Sequence, residues 1–281
     1  AGPVYAHPMH IWAVEWPITW DKMGADFYRP GPGEAGMTPA EVGRGVHFSQ
    51  DILFHRPVKS GDQLVTNATI ASVQSKSKGA VQIARFDSSD SLSGERVVTT
   101  WNGAYLRGVA VDGGGGGGGG GGGSTLEDLM PPPLPPPPAA GAVPFEVHAV
   151  PCMAVEAHLY TECARIWNPI HTDRATALGA GLPDIILHGT ATLNKAINII
   201  MKKYCGGDPR RVLRIVGNSF AAMVLLPSTI TVNLISETPG QLQKGSLVVH
   251  FNIVNAQGDM ACRSGFVEVL PVARRGVSSK M

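Results

Sequence analysis

The stretch Trp167–Leu193, WNPIHTDRATALGAGLPDIILHGTATL, decides how the rest of the chain is read. Asn168 and His171 stand three residues apart around Pro169. Proline fixes its own φ and drives the preceding residue towards an extended backbone, so both side chains are expected to project from a stiff corner. Thr172 or Asp173 is placed to cap a short helix over Arg174–Ala180, which Gly181 ends. The apolar run Ile185-Ile186-Leu187 then delivers His188 and Gly189 to the start of a second helix. Along that helix Leu193, Ala196, Ile197, Ile200, Met201 and Tyr204 recur at helical spacing, which predicts one buried face.

Upstream the chain has a seam. Residues 113–123 are all glycine, and Pro131–Pro138 reads PPPLPPPP. A flexible coil followed by a stiff polyproline spacer cannot bury a core, which divides the chain into residues 1–110, a linker 111–142 and residues 143–281. The two sides repeat one another. Phe54, Val58, Leu64, Asn67, Lys78 and Gly79 each have a counterpart 166 positions later (220 − 54 = 166): Phe220, Val224, Ile230, Asn233, Lys244 and Gly245. In both halves the matched region continues as alternating apolar and polar residues, the pattern of half-exposed antiparallel strands. Gly94 and Gly258 fall in the turns before the last strands. Each half therefore reads as a helix followed by a strand meander. The opening AGPVYAHPM is similar to AGLPDIILHGT of the second half, so the first unit reads as lacking its first elements, including any N-P-x-H corner. Arg29–Pro39, rich in Gly and Pro, reads as an inserted loop, with strands resuming from His47.

Composition narrows the function classes. A chain of 281 residues with 43% hydrophobic content can bury two modest cores. The formal net charge is +1, with no basic stripe, which argues against nucleic acid as a partner. No apolar run approaches the roughly 20 residues of a membrane span, and the first residues carry no signal-peptide pattern. Cys152, Cys163, Cys205 and Cys262 form no C-x-x-C pair, so neither zinc nor a disulfide framework is expected, and four free thiols suit a reducing compartment. No metal site is expected elsewhere either.

N-P-I-H-T-D, a short helix, A-G-L-P and then I-L-H-G resembles the signature of the MaoC-like dehydratase family, which includes the R-specific enoyl-CoA hydratases. The resemblance implies an α+β fold of two hot-dog units in one chain, each a long helix wrapped by a curved antiparallel sheet. It implies a substrate carried as a coenzyme A thioester, no other cofactor, and addition or removal of water at the 2,3-position of an enoyl or 3-hydroxyacyl group. Carried over residue by residue, His171 matches the family's catalytic His, Asn168 the Asn that fixes the corner, and Gly189 the helix-start N–H that meets the thioester oxygen. The family's aspartate falls at Ile166, which supplies no acid or base. If Ala157–Arg165 is helical, Glu162 lies four residues before Ile166 on one face and offers a replacement. Arg165, Ile166 and Trp167 are candidates for lining the acyl-CoA channel.

Plainer roles stand beside these. Asp173 reads as a helix cap rather than an acid. His188 is either a second imidazole of the site or a buried histidine bonded to a carbonyl. His7 and His10 read as structural or exposed, and Lys202 and Lys203 as complements to a helix C-terminus. Ser279-Lys280-Met281 is similar to the peroxisomal address S-K-L, which sets a peroxisomal expectation if it is the native C-terminus and a cytoplasmic one otherwise. Two other functions fit the same fold: an acyl-CoA thioesterase and a non-catalytic acyl-CoA-binding subunit. A homodimer is a further expectation.

Overall fold

The structure, a computed structural model, describes residues 2–23, 38, 41, 44–111 and 126–273. The glycine run 113–123, all of the expected insertion 29–39 save Thr38, and Ser279-Lys280-Met281 lie outside the described residues.

Alternating strands and two long apolar-faced helices build the fold as the repeat implies. Helix α1 (Ile11–Met23) is followed by β1 (Gly45–Phe54), β2 (Leu64–Lys76), β3 (Gly79–Asp90) and β4 (Arg96–Arg107). After the short α2 (Leu126–Leu129) come β5 (Glu146–Cys152), α3 (Glu156–Ala164), α4 (Arg174–Gly179) and the long α5 (Gly189–Cys205). Strands β6 (Val212–Asn218), β7 (Ser228–Pro239), β8 (Leu247–Val254) and β9 (Met260–Val269) complete the second unit. They form one nine-stranded sheet in the order β2-β3-β4-β1-β6-β9-β8-β7-β5, with every neighbouring pair antiparallel. The middle of the sheet is the pairing of β1 with β6, where Ser49 faces Asn218 and Leu53 faces Arg214. The two meanders therefore join edge to edge, and neither central edge is left to solvent.

The repeat survives in detail. Lys78-Gly79 and Lys244-Gly245 close corresponding turns, and both glycines have positive φ, 153° and 82°. A Cβ at Gly79 would clash with the Leu106 carbonyl. Gly94 and Gly258 occupy the expected turns in the left-handed region, at φ 73° and 88°. Isolated bridges Tyr5–Lys59 and Ile186–Leu225 tie the chain ahead of each long helix to the loop after the first strand. Strand β5, α3 and α4 have no counterpart among the described residues of the first half.

On α5, Leu193, Ala196, Ile197, Ile200 and Tyr204 are buried as the spacing predicts, and Met201 is only partly so. Full burial of a Leu or Ile is worth roughly 1.5–3 kcal/mol, so this face anchors the helix to β6–β9. Gly206 ends α5 in the left-handed conformation (φ 63°), and its N–H bonds the Met201 carbonyl. The core runs across the unit boundary, since Ile11, Ile52, Val97 and Val98 belong to the same cluster.

The proline run is more than a spacer. The Pro132 and Pro133 carbonyls accept hydrogen bonds from the Arg214 guanidinium at 2.8 and 3.1 Å. The same guanidinium holds Asp51 in a two-bond fork, Nε to Oδ1 at 2.9 Å and Nη2 to Oδ2 at 2.7 Å. Upstream, the Trp101 indole donates to the Leu129 carbonyl at 2.7 Å. The segment is strapped over the sheet where the two units meet.

Candidate active site

The corner forms as the proline requires. Asn168 is extended (φ −88°, ψ 115°), Pro169–His171 make a 3-10 turn, and Asn168 Oδ1 accepts from the Ile170 N–H at 3.3 Å. Asp173, not Thr172, caps α4, its Oδ1 accepting from the Thr176 N–H at 2.6 Å. The corner aims His171 inwards, and the ring is buried. Its Nδ1 lies 2.8 Å from the Ile186 carbonyl. A carbonyl only accepts, so Nδ1 carries the hydrogen and Nε2 keeps its lone pair.

His188 stacks on His171, with ring centroids 3.7 Å apart and planes 25° from parallel. It sits at the N-cap of α5, and its carbonyl accepts from Thr192 N–H and Oγ1. Its Nε2 lies 3.2 Å from Thr161 Oγ1 and 3.4 Å from the Ile166 carbonyl. Of the two sequence expectations for His188, the structure has the carbonyl-bonded buried histidine, and it lies against His171. Burial holds both rings neutral. It lowers His171 to about 4, against the Ile186 bond that raises it, and lowers His188 to about 3, with His171 as the second cause.

Gly189 opens α5, so its N–H is among the first-turn donors that no intrahelical carbonyl reaches, at the end where the dipole favours negative charge. A Cβ there would stand 3.3 Å from Nδ1 of His47 and 3.5 Å from Cγ of Phe220. His47 is the residue that sequence reasoning missed. It comes from β1 of the other unit, at a register shift between His47 and Ser49, and bulges of this kind re-aim side chains. Its ring stacks on Trp12 (5.9 Å, 6°) and lies 4.7 Å from the Phe220 ring. Burial lowers its pKa to about 4. Nothing in GVHFSQD signals this position, because the bulge and the contact with α5 both arise from the pairing of the units.

Ile166, where the family's carboxylate falls, is buried against Trp12 and Trp16 of α1. The place is dry and apolar, and only the Ile166 backbone carbonyl serves the histidines. Ile166→Asp is expected to lower stability by about 2–3 kcal/mol, because it sets a carboxylate among indole rings. A urea midpoint equal to the wild type would contradict that packing.

The helical bridge to Glu162 fails. Helix α3 stops at Ala164 rather than continuing to Arg165, which takes the left-handed conformation (φ 58°). That turn takes Ile166 off the helix face, and Glu162 is left exposed. Arg165 and Trp167 are exposed as well, the guanidinium 5.6 Å from the Trp167 ring centroid. His7 is structural, its Nδ1 accepting from Met9 N–H and its Nε2 lying 3.1 Å from Asn198 Oδ1, while His10 is exposed. Among the described residues no group of three His, Cys, Asp or Glu side chains is placed to hold a metal, and no helix is long and apolar enough to cross a membrane.

The buried imidazoles carry a stability consequence. His171, His188 and His47 have folded pKa values of about 4, 3 and 4, below the ordinary 6.5. The unfolded chain therefore binds more protons between these values, and stability that is complete above about pH 6.5 is lost as pH falls towards 4. Urea unfolding across this window is expected to show a loss on the order of a few kcal/mol. A flat profile would contradict the neutral, buried assignment.

Comparison with known proteins places this geometry. Residues 139–254 match the MaoC-like domain, and residues 13–100 match the FAS1-like dehydratase domain region. The chain is 30% identical over 172 residues to a protein named enoyl-CoA hydratase 2, peroxisomal, from Arabidopsis thaliana. That alignment covers 61% of this chain and 54% of the relative, so the chain spans about half the relative's length. Among solved structures, a MaoC-like dehydratase from Phytophthora capsici superposes with TM-score 0.67 at 21% identity, covering 86% of this chain and 74% of its own. A conserved hypothetical protein from Mycobacterium tuberculosis, described as a double hot-dog fold, superposes with TM-score 0.56 at 16% identity, covering 95% and 82%. These likenesses give the fold, two hot-dog units in one chain. Residues 139–254 thus carry a MaoC-like domain, and residues 13–100 a FAS1-like dehydratase region.

Proposed function

We propose that the chain adds or removes water at the 2,3-position of an enoyl or 3-hydroxyacyl thioester, with coenzyme A as the carrier. One observation carries the reading: His171 is fixed as a neutral imidazole, its Nδ1 tied to the Ile186 carbonyl, against His188, the residue before Gly189. A base with a free Nε2 and a helix-start N–H are thus set side by side. Nε2 takes a proton from water as the oxygen attacks carbon 3, and the Gly189 N–H holds the negative charge that develops on the thioester oxygen. The protonated imidazole then gives its proton to carbon 2. Water addition so written needs no cofactor beyond the thioester carrier. The name of the Arabidopsis relative supports the substrate class. Its peroxisomal location is proposed here too, and co-migration of the native protein with peroxisomal matrix markers checks it.

The buried Ile166 favours a second reading, a non-catalytic acyl-CoA-binding subunit, because a chain without chemistry has no need of the carboxylate. A 2-enoyl-CoA followed both by enoyl absorbance and by free thiol separates the readings. Loss of absorbance without thiol supports the hydratase, thiol release supports a thioesterase, and binding with neither supports the subunit.

A further inference from the structure

Besides His188 at the cap itself, two imidazoles lie against the start of α5, and only one of them comes from the N-P-I-H corner. His47 arrives from the other unit, on β1, and meets Gly189. Its described hydrogen bonds run from Nε2, which lies 3.1 Å from the Ser49 carbonyl and 3.1 Å from Gln50 Oε1. Both partners accept, so Nε2 carries the hydrogen and Nδ1 keeps a lone pair. Nδ1 is the atom that a Cβ at Gly189 would meet first, at 3.3 Å. His171 has the complementary arrangement, with Nδ1 on the Ile186 carbonyl and Nε2 open. Each ring is therefore oriented by a backbone carbonyl and keeps an acceptor nitrogen: Nδ1 of His47 lies beside Gly189, and Nε2 of His171 belongs to the ring stacked on His188.

The surroundings link His47 to the missing carboxylate. Trp12 stacks on His47, meets Phe86 edge-on at 6.2 Å, and belongs to the cluster that holds Ile166. Trp12 thus joins the imidazole of His47 to the cluster at the place where the family has its aspartate. The Phe220 ring at 4.7 Å closes the other side, and the Phe220 N–H bonds the carbonyl of Phe48, next to His47, at 2.9 Å. For stacking alone a phenyl ring would serve as well. The Ser49 carbonyl satisfies the buried Nε2–H and in doing so fixes the direction in which Nδ1 faces.

We propose that His47 is a catalytic residue, the second hydrogen-bond acceptor for the water that His171 activates, and that it replaces the carboxylate absent at Ile166. The assignment rests on the hydratase reading and adds a residue of the first unit to that site. The balance closes without a further reactant. Water's oxygen bonds carbon 3, one of its hydrogens passes through His171 Nε2 to carbon 2, and the other stays on the new hydroxyl. It is this second hydrogen that His47 Nδ1 holds by a hydrogen bond throughout, so His47 neither gains nor loses a proton. Two acceptors fix the water's attacking lone pair, and one leaves it free to rotate.

The test uses the full chain and a 2-enoyl-CoA. His47→Phe keeps a ring between Trp12 and Phe220 but removes the acceptor, and is expected to lower kcat by about 10- to 100-fold with KM little changed. His47→Asn places an amide oxygen near the Nδ1 position and is expected to keep turnover within a few-fold of wild type. If His47→Phe does not fold, His47→Leu set against His47→Asn makes the same comparison. A His47→Phe enzyme with wild-type kcat, or an Asn variant as slow as the Phe variant, overturns the assignment. If these variants match wild type while His171→Ala is slow, only the role of His47 falls. A wild type that hydrates no enoyl-CoA removes the hydratase reading and His47's role with it.

Discussion

Replacing His171 by alanine is expected to lower kcat for hydration of a 2-enoyl thioester by about 10² to 10⁴, the range for loss of a general acid–base group. The ring is the base in the proposed chemistry, and among the described residues it is hydrogen-bonded to the Ile186 carbonyl alone, so little of the fold depends on it. KM is expected to change less than kcat, because the thioester oxygen and carrier are held elsewhere. The wild-type rate carries a matching signature. His171 must be neutral to accept a proton, and burial sets its pKa at about 4. Turnover should therefore hold from neutral pH down to about 5 and fall only below, rather than near the ordinary 6.5 of histidine. Stopped assays over this range on wild type and His171→Ala check both points. An unchanged kcat in the variant removes His171 from the chemistry.

Removing Asp51 is expected to have the largest effect on stability. Asp51→Ala leaves the Arg214 guanidinium buried at the junction of β1 and β6, with the Pro132 and Pro133 carbonyls as its remaining described hydrogen-bond acceptors and the Phe266 ring beside it. Loss of one partner from a buried pair destabilises by about 3–5 kcal/mol. Burial pushes the Asp51 carboxyl above its usual range against the pull of Arg214, so desolvation outweighs attraction in the pair. The apolar double replacement Asp51→Leu with Arg214→Met is accordingly expected to recover most of the loss. Urea unfolding of the three variants checks this. An Asp51→Ala midpoint equal to the wild type would show that the strap and the junction do not depend on the pair.

Much of the fold was legible because it rests on local rules repeated twice. The counterparts at 166 positions mark corresponding turns and strands, and the α5 spacing names its buried face, Met201 apart. The corner was legible for the same reason, since Pro169 and the caps act within a few residues. What escaped the sequence depends on contacts between distant segments. The proline run reads as a spacer by composition, and its docking appears only once Arg214 stands beside it. Glu162 was placed by helical spacing, which a single left-handed residue, Arg165, interrupts. His47 is the strongest case: a bulge aims it and pairing of the two units brings it to Gly189, and neither leaves a mark on the residues around it.

The central claim is that this chain adds water to carbon 3 and leaves the thioester whole. Incubation of the wild-type protein with a 2-enoyl-CoA in water enriched in heavy oxygen, followed by mass spectrometry of the acyl product, tests it directly. The account predicts one labelled oxygen at carbon 3 of an intact 3-hydroxyacyl-CoA, and far less of it with His171→Ala. Label in a freed carboxylate, or an acyl-CoA recovered unlabelled and unchanged, would contradict it.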